Sequence, residues 1–425
     1  MKTLLDTTRS FPSAVRLLMI NQFAINLAFY MLMPYLAAHL AGDLGLAAWA
    51  VGLVLGVRNF SQQGMFLIGG TIADRYGYKM PIVAGCLLRT AGFALLGWVD
   101  NLPALIAASA ATGFAGALFN PAVRAYLAAE AGRRRVDAFA AFNVYYQAGM
   151  LLGPLVGLAL LAADFRLVCT VAAAVFAALT VLQLRALPAC RAADCAGRGE
   201  GTGGVLAQWR QVVANRPFLL FSLAMIGSYV LTFQVYLALP MAADSLLGAD
   251  GAKATSGLFV LSAAVAVAGQ LKLTAWAKRR WSREEAMVRG LAAMGLAFAP
   301  LALASSGPGA WQAALQLAAL AAAVVLLAGG SAVVYPLEMD TVVALAGDRM
   351  VATHYGFYST VSGVGITLGN LATGGLWDYA AAHDMRWLTW AALTVTGLGC
   401  AGAVYALART GRLSSAPVVP VPAPA

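Results

Sequence analysis

The run Gly69-Gly70-Thr71-Ile72-Ala73-Asp74-Arg75-Tyr76-Gly77-Tyr78-Lys79 sets one carboxylate among glycines and two cations. Gly70 permits a close helix contact and Gly77 a tight turn. Asp74 suits basic side chains or the amino end of a helix, where a carboxylate gains about 0.3–1 kcal/mol. Gly70, Asp74, Arg75, Gly77 and Lys79 therefore read as a latch. A mere basic turn accounts for Arg75 and Lys79 but leaves the carboxylate unexplained.

A second set is Glu338, Asp340 and His354. A carboxyl group withdrawn from water, or an imidazole, exchanges its proton near neutral pH. These three read either as proton carriers or, with Arg124 and Arg349, as an ion-paired gate. Arg58 and Arg89 lie inside otherwise apolar stretches, where a charge is costly and marks function by default. They either take part in transport or pair with carbonyls and amides such as Asn59, Gln62 and Gln63. Asn21, Gln22 and Asn26 share about one helix face, either lining a cavity or bonding neighbouring helices. Tyr145, Tyr146, Tyr229, Phe233 and Tyr236 either line a cavity for an amphiphile or pack. Gly149, Gly153 and Gly157, four apart with Pro154 embedded, let helix backbones approach closely.

Other chemistry is missing. The chain has no His-Glu metal cluster, nucleophile elbow or phosphate loop. Cys86, Cys169, Cys190, Cys195 and Cys400 show no metal spacing and read as free thiols. The expectation is a protein that is not an enzyme, with no metal and no cofactor.

The elements that must position these residues follow from composition. Of 425 residues, 61% are hydrophobic and only 11% charged, whereas soluble domains are about one-quarter charged. The chain faces lipid. Its net charge of +10 is scattered, with no long basic arm, which argues against nucleic acid. A membrane helix needs about 20 mainly apolar residues. Stretches free of Asp, Glu, Lys and Arg run 17–41, 102–123, 138–163, 167–184, 217–243, 254–271, 350–377 and 387–408. The stretch 290–337 is cut in two by the turn signal Ser305-Ser306-Gly307-Pro308-Gly309. Segments 48–72 and 80–98 are apolar apart from Arg58 and Arg89. These make an all-α membrane protein of twelve transmembrane helices.

With a cytoplasmic N-terminus, 21 basic residues fall on the cytoplasmic side, 3 opposite and 4 within or at the ends of helices, together the 28 of the chain. Both termini are expected in the cytoplasm of a cell with this inner, or plasma, membrane. The N-terminal segment lacks a cleavage site and reads as a retained helix. The polar segment 188–216 reads as a cytoplasmic linker between six-helix bundles at 1–187 and 217–410, with a flexible tail at 411–425. Gly116-Ala117-Leu118-Phe119-Asn120-Pro121 answers Ser331-Ala332-Val333-Val334-Tyr335-Pro336, and Pro154 answers Asn370, about half a chain apart. Parallel repeats related by an axis along the membrane normal would do this, with a substrate site between them.

The Asp74 loop resembles the signature loop of the major facilitator superfamily. The Gly149–Gly157 repeat resembles the fifth-helix motif of its proton-driven exporters. The segments 56–64, 85–93 and 164–169 look like MdtH-type multidrug exporters of the drug:proton antiporter branch, and 336–341 and 349–356 look like related bacterial exporters, some assigned to siderophores. The resemblance implies the major facilitator fold and a monomer in the lipid bilayer. It further implies exchange of protons for a small molecule, a drug-like amphiphile or a siderophore-type chelator, with the proton gradient as energy source. An importer or facilitator of a small nutrient is the alternative. Many drug:proton antiporters carry a carboxylate in the first helix, and this chain has none there.

A reporter active only outside the cytoplasm tests the topology. It should be silent when fused after Arg198 or Arg412 and active when fused within 243–253. Activity at both basic sites would overturn the twelve-helix arrangement.

Overall fold

The computed structural model describes residues 4–187, 204–248, 251–303 and 310–413, and these are helical almost throughout. The Ser305–Gly309 turn, Cys190, Cys195 and most of the tail lie outside the described residues. Among the described residues, nine stretches are long and apolar enough to cross a membrane, and one of them, Leu102–Leu161, contains two helices. Two further helical segments complete the twelve.

The first span is Ser13–Gly42, and the second is Ala48–Gln63 continued by Phe66–Tyr76 after a break at Gly64 and Met65. The third to sixth are Lys79–Trp98, Leu102–Ala131, Arg135–Leu161 and Phe165–Ala186. The seventh, from Arg216 to Leu247, is interrupted at Met225 and Leu237. The eighth is Gly251–Arg280, and the ninth is Arg283–Leu296 followed by Ala299–Leu303. The tenth to twelfth are Ala310–Ala346, Val351–Ala382 and Trp387–Arg409.

The two spans missing from the apolar set are the second, which is broken, and the eleventh. The eleventh is rich in Gly, Ser and Thr because it packs on protein. In the N-terminal bundle the first span packs on the fifth, the third on the fourth and sixth, and the second on the fourth. In the C-terminal bundle the seventh packs on the eleventh, the ninth on the tenth and twelfth, and the eighth on the tenth. The two patterns are the same with every number raised by six, as a duplicated unit requires. Across the bundles, the second span meets the eleventh and the fifth meets the eighth. These two seams are themselves equivalent under the duplication.

Within the polar segment 188–216, Val205–Ala214 forms a helix. Gln208 and Trp209 anchor it: Arg75 Nε donates to Gln208 Oε1 at 2.9 Å, and Trp209 Nε1 to Thr71 Oγ1 at 2.9 Å. It lies across the face of the molecule that carries Arg75, Arg135 and Lys278, called here the basic face.

The glycine repeat of the fifth span sits directly on the first. A methyl group on Gly149, Gly153 or Gly157 would run into the backbone of Phe23, Leu27 or Met31. Pro154 lies within this contact, and its carbonyl accepts from Tyr35 Oη at 2.7 Å. Adding one carbon at Gly157 should therefore overpack the seam, at ~1–3 kcal/mol. Gly56, whose added carbon would meet open space, should instead be stabilised by ~0.5–1 kcal/mol on conversion to alanine. Thermal unfolding followed by tryptophan fluorescence should show Gly157→Ala melting below, and Gly56→Ala at or above, the parent chain. Equal midpoints for the two variants would contradict the packing account.

Candidate functional site: a central cavity closed by a latch

The second span ends at Tyr76, and Gly77, at φ +82°, turns the chain into the third span. This delivers Asp74 to the amino end of the eleventh span. Its Oδ1 accepts from the Ala352 amide at 3.1 Å, and its Oδ2 from the Thr353 amide at 2.6 Å and hydroxyl at 2.7 Å. The first amides of a helix have no partner within it, so a carboxylate from the other bundle supplies what the helix lacks. Small residues make the approach possible. Gly70 abuts the Ala352 backbone and Gly356 the Phe66 backbone, so a methyl group on either would collide.

The other members of the loop do different work. Lys79 does not meet Asp74. Its ammonium caps the sixth span, donating to the carbonyls of Leu184 and Leu187 at 2.8 and 2.6 Å. Arg75 reaches Gln208 of the surface helix instead.

The equivalent seam, fifth span to eighth, carries the same interaction with its polarity rearranged. Asp137 stands in the first turn of the fifth span, and Lys278 at the end of the eighth meets it at 2.6 Å. The carboxylate has moved onto the helix whose amino end it stabilises, and a cation spans the seam. Arg135 to Asp348 at 2.9 Å adds a second ion pair between the bundles. Deeper in, Asn143 Nδ2 donates to Gln270 Oε1 at 2.8 Å. Neither Asp137 nor Asn143 stood out in the sequence. The available signal was a lone carboxylate following three arginines at a helix start.

Inside the latch lies a cavity of about 570 Å³ lined by both bundles. Its N-terminal wall includes Gln22, Asn26, Arg58, Arg89 and Tyr146; its C-terminal wall includes Tyr229, Phe233, Tyr335 and Glu338. Asn26 Nδ2 donates back to the Gln22 carbonyl at 2.7 Å, and Asn21 is fully buried. Arg89 lies ten residues into the third span, about 15 Å deep at 1.5 Å per residue. Its guanidinium is 5.4 to 5.9 Å from the ring centres of Phe29, Phe119 and Phe176. Arg58 sits 5.4 Å from the Phe29 ring and donates to Asn59 Oδ1 at 2.6 Å.

Glu338 is 3% exposed. Its Oε1 accepts from Tyr229 Oη at 2.7 Å and from Tyr358 Oη at 2.6 Å. Arg124 lines the same cavity and crosses the bundles to donate to Ser359 Oγ at 3.2 Å. Asp340 and His354 do not join this group, which corrects the expectation of one cluster. Asp340 pairs with Arg283 at 3.5 Å within its own bundle. His354 holds its Nδ1 2.8 Å from the Met350 carbonyl, and its ring meets Phe218 at 4.7 Å. Two residues along a helix do not face the same way, so Glu338 and Asp340 part company. Of the tyrosines singled out by sequence, Tyr145 bonds Thr8 at 3.2 Å, and Tyr236 crosses the bundles to donate to Met150 Sδ at 3.4 Å.

Residues 18–370 match the Major Facilitator Superfamily. The chain belongs to the major facilitator superfamily. Among its relatives is an MFS-type transporter of Mycobacterium tuberculosis, 55% identical over 390 residues that cover 92% of each chain. Another is the multidrug resistance protein MdtH of Yersinia pestis, 30% identical over 401 residues that cover 94% of this chain and 95% of that one. The crystal structure of the Escherichia coli fucose:proton symporter FucP superposes with a TM-score of 0.71 at 13% identity, covering 92% of this chain and 98% of that one. A superfamily member with this fold is a multi-pass membrane transporter of small molecules and not an enzyme. Its twelve spans form the two six-helix bundles of the superfamily.

The latch geometry carries a measurable consequence. Asp74→Asn puts an amide where three donors converge, and losing a cap of this kind costs ~0.5–2 kcal/mol. The bundles should then part more often at the basic face. In a cysteine-free background, a cysteine placed at Ser359 should react about 2- to 30-fold faster with a membrane-impermeant maleimide in the Asp74→Asn protein. An unchanged rate in well-inserted protein would remove the latch.

Proposed function

We propose that this chain exports small amphiphilic organic molecules in exchange for protons, with the basic face in the cytoplasm of a bacterial cell. The two bundles, at about 1–187 and 217–410, rock about the cavity and expose it to one side at a time. The observation that carries the reading is Glu338. It is an ionisable group inside the cavity, held by phenols from two different spans and facing an aromatic wall from the other bundle. A first-span carboxylate is absent from this chain, and Glu338 stands in the corresponding role from the tenth.

Export is supported by the Gly149–Gly157 packing on the first span, which resembles that of proton-driven exporters, and by the relative named a multidrug resistance protein. The cavity wall supports it further, because Phe29, Tyr146 and Phe233 offer aromatic surface to an apolar body, and Gln62, Gln63 and Ser362 supply scattered polar groups. Such a lining suits several ligands of similar size better than one ligand of fixed shape. The energy source is the proton gradient, and the monomer contains a complete cavity.

Glu338 and Asp340 separate in the test. Glu338→Gln keeps the shape but cannot carry a proton. In proteoliposomes with an imposed pH gradient it should lose uphill accumulation of an aromatic amphiphile and keep downhill exchange. Asp340→Asn, which loosens a pair with Arg283 outside the cavity, should keep gradient-driven accumulation. Retention of uphill transport by Glu338→Gln would place the coupling group elsewhere.

A further inference from the structure

The cavity is electrically divided. Its N-terminal wall holds Arg58 and Arg89, and neither has a carboxylate within ion-pairing distance among the described residues. They are held by weaker partners. Arg58 has Asn59 Oδ1, the Met33 thioether at 3.5 Å and the Phe29 ring, while Arg89 lies against three ring faces with Cys86, Tyr30 and Tyr146 within electrostatic reach. The Nε of each is buried without a hydrogen-bond partner. A guanidinium taken out of water without a counter-charge is costly, and ring faces return only part of that cost. An anionic group entering between them would supply the missing partner.

The C-terminal wall is the converse. Both phenols that bond Glu338 use Oε1, and Oε2 has no hydrogen-bond partner among the described residues. Arg124 stands near enough to act on Glu338 electrostatically, but it bonds Ser359 and Tyr335, and no ion pair joins it to Glu338 among the described residues. The groups facing Glu338 are thus Tyr229, Tyr358, Tyr335 and Arg124, with one carboxylate oxygen free to meet a cation.

We infer that the preferred substrate is an aromatic zwitterion, its anionic group between Arg58 and Arg89 and its ammonium on Glu338. The inference rests on the exporter reading and gives it a coupling rule. An ammonium and a proton compete for one carboxylate, and that competition makes exchange obligatory. A purely anionic ligand would not compete with the proton, and a purely cationic one would leave the two arginines uncompensated. The aromatic body lies against Phe29 and Phe233, between the two charged walls.

Three probes sharing one ring system separate the contributions: 6-(aminomethyl)-2-naphthoate, 2-naphthoate and 2-naphthylmethylamine. Their binding to the purified full chain in lipid nanodiscs is measured by calorimetry. The zwitterion should bind about tenfold or more tighter than either single-charge probe, since each charge-assisted contact contributes at least that factor. Arg58→Gln should weaken the zwitterion and naphthoate by about tenfold and leave the amine unchanged. Glu338→Gln should weaken the zwitterion and the amine and spare naphthoate. A misfolded variant would lose all three probes alike, so the ratio between probes is the readout, and Arg89→Gln gives an independent second variant.

Equal binding of amine and zwitterion by the parent chain would overturn the inference, as would an Arg58→Gln effect that ignores ligand charge. The exporter reading fails separately. If the zwitterion binds with this pattern but its flux in vesicles ignores a pH gradient, the site stands and proton exchange falls. If the amine alone is pumped by the gradient and the zwitterion is not bound, exchange stands and the zwitterion site falls.

Discussion

A helix whose first amides have no partner must find an acceptor, and in the eleventh span that acceptor is Asp74 of the other bundle. Much of the molecule is arranged around this demand. Gly70 and Gly356 thin the two helices so that their backbones can meet. Gly77 turns the chain immediately afterwards, and the Val205–Ala214 helix braces the same loop through Gln208 and Trp209. The bond belongs to neither bundle alone, so it can form only where the two bundles meet at the basic face. Its worth, about 0.5–2 kcal/mol, is of the size that biases an equilibrium between two arrangements without locking it.

Duplication explains why there are two such seams and why they differ. The fifth span meets the eighth as the eleventh meets the second, yet Asp137 and Lys278 replace the reach of Asp74 across the gap. An ion pair between partly exposed side chains is worth less than hydrogen bonds to free helix amides. The two seams are held by different contacts although equivalent in geometry. The cavity between them is also divided, with Arg58 and Arg89 among aromatic rings on one wall and a tyrosine-held carboxylate on the other.

How much of this could be read in the sequence depended on the range of the interaction. The spans were legible because each is a local property, a run of residues without charge. The Asp74 loop was legible for the same reason, since its glycines and carboxylate are neighbours in the chain. Its partner was not, because Ala352 lies 278 residues away and any of several helix starts would serve. Lys79 belongs to the same motif, but its partners, the carbonyls ending the sixth span, lie over a hundred residues away and are not legible in the loop. Glu338 was visible as an intramembrane charge, but Tyr358, its closest bonding partner, looks in sequence like any packed aromatic. Asp340 lies two residues from Glu338 and His354 opens the next span, yet helical geometry turns each to a partner of its own.

The polarity of the eleventh span bears on how the protein is made. A segment so rich in glycine, serine and threonine gains little by leaving an insertion channel for bare lipid. Its natural neighbour there is the second span, synthesised well before it and already in the bilayer. The late segment can then exchange the channel directly for protein, settling against Gly70 and Asp74 rather than against acyl chains. The contact at Asp74 is thus also a protein surface in the first bundle against which the most polar span of the second can settle.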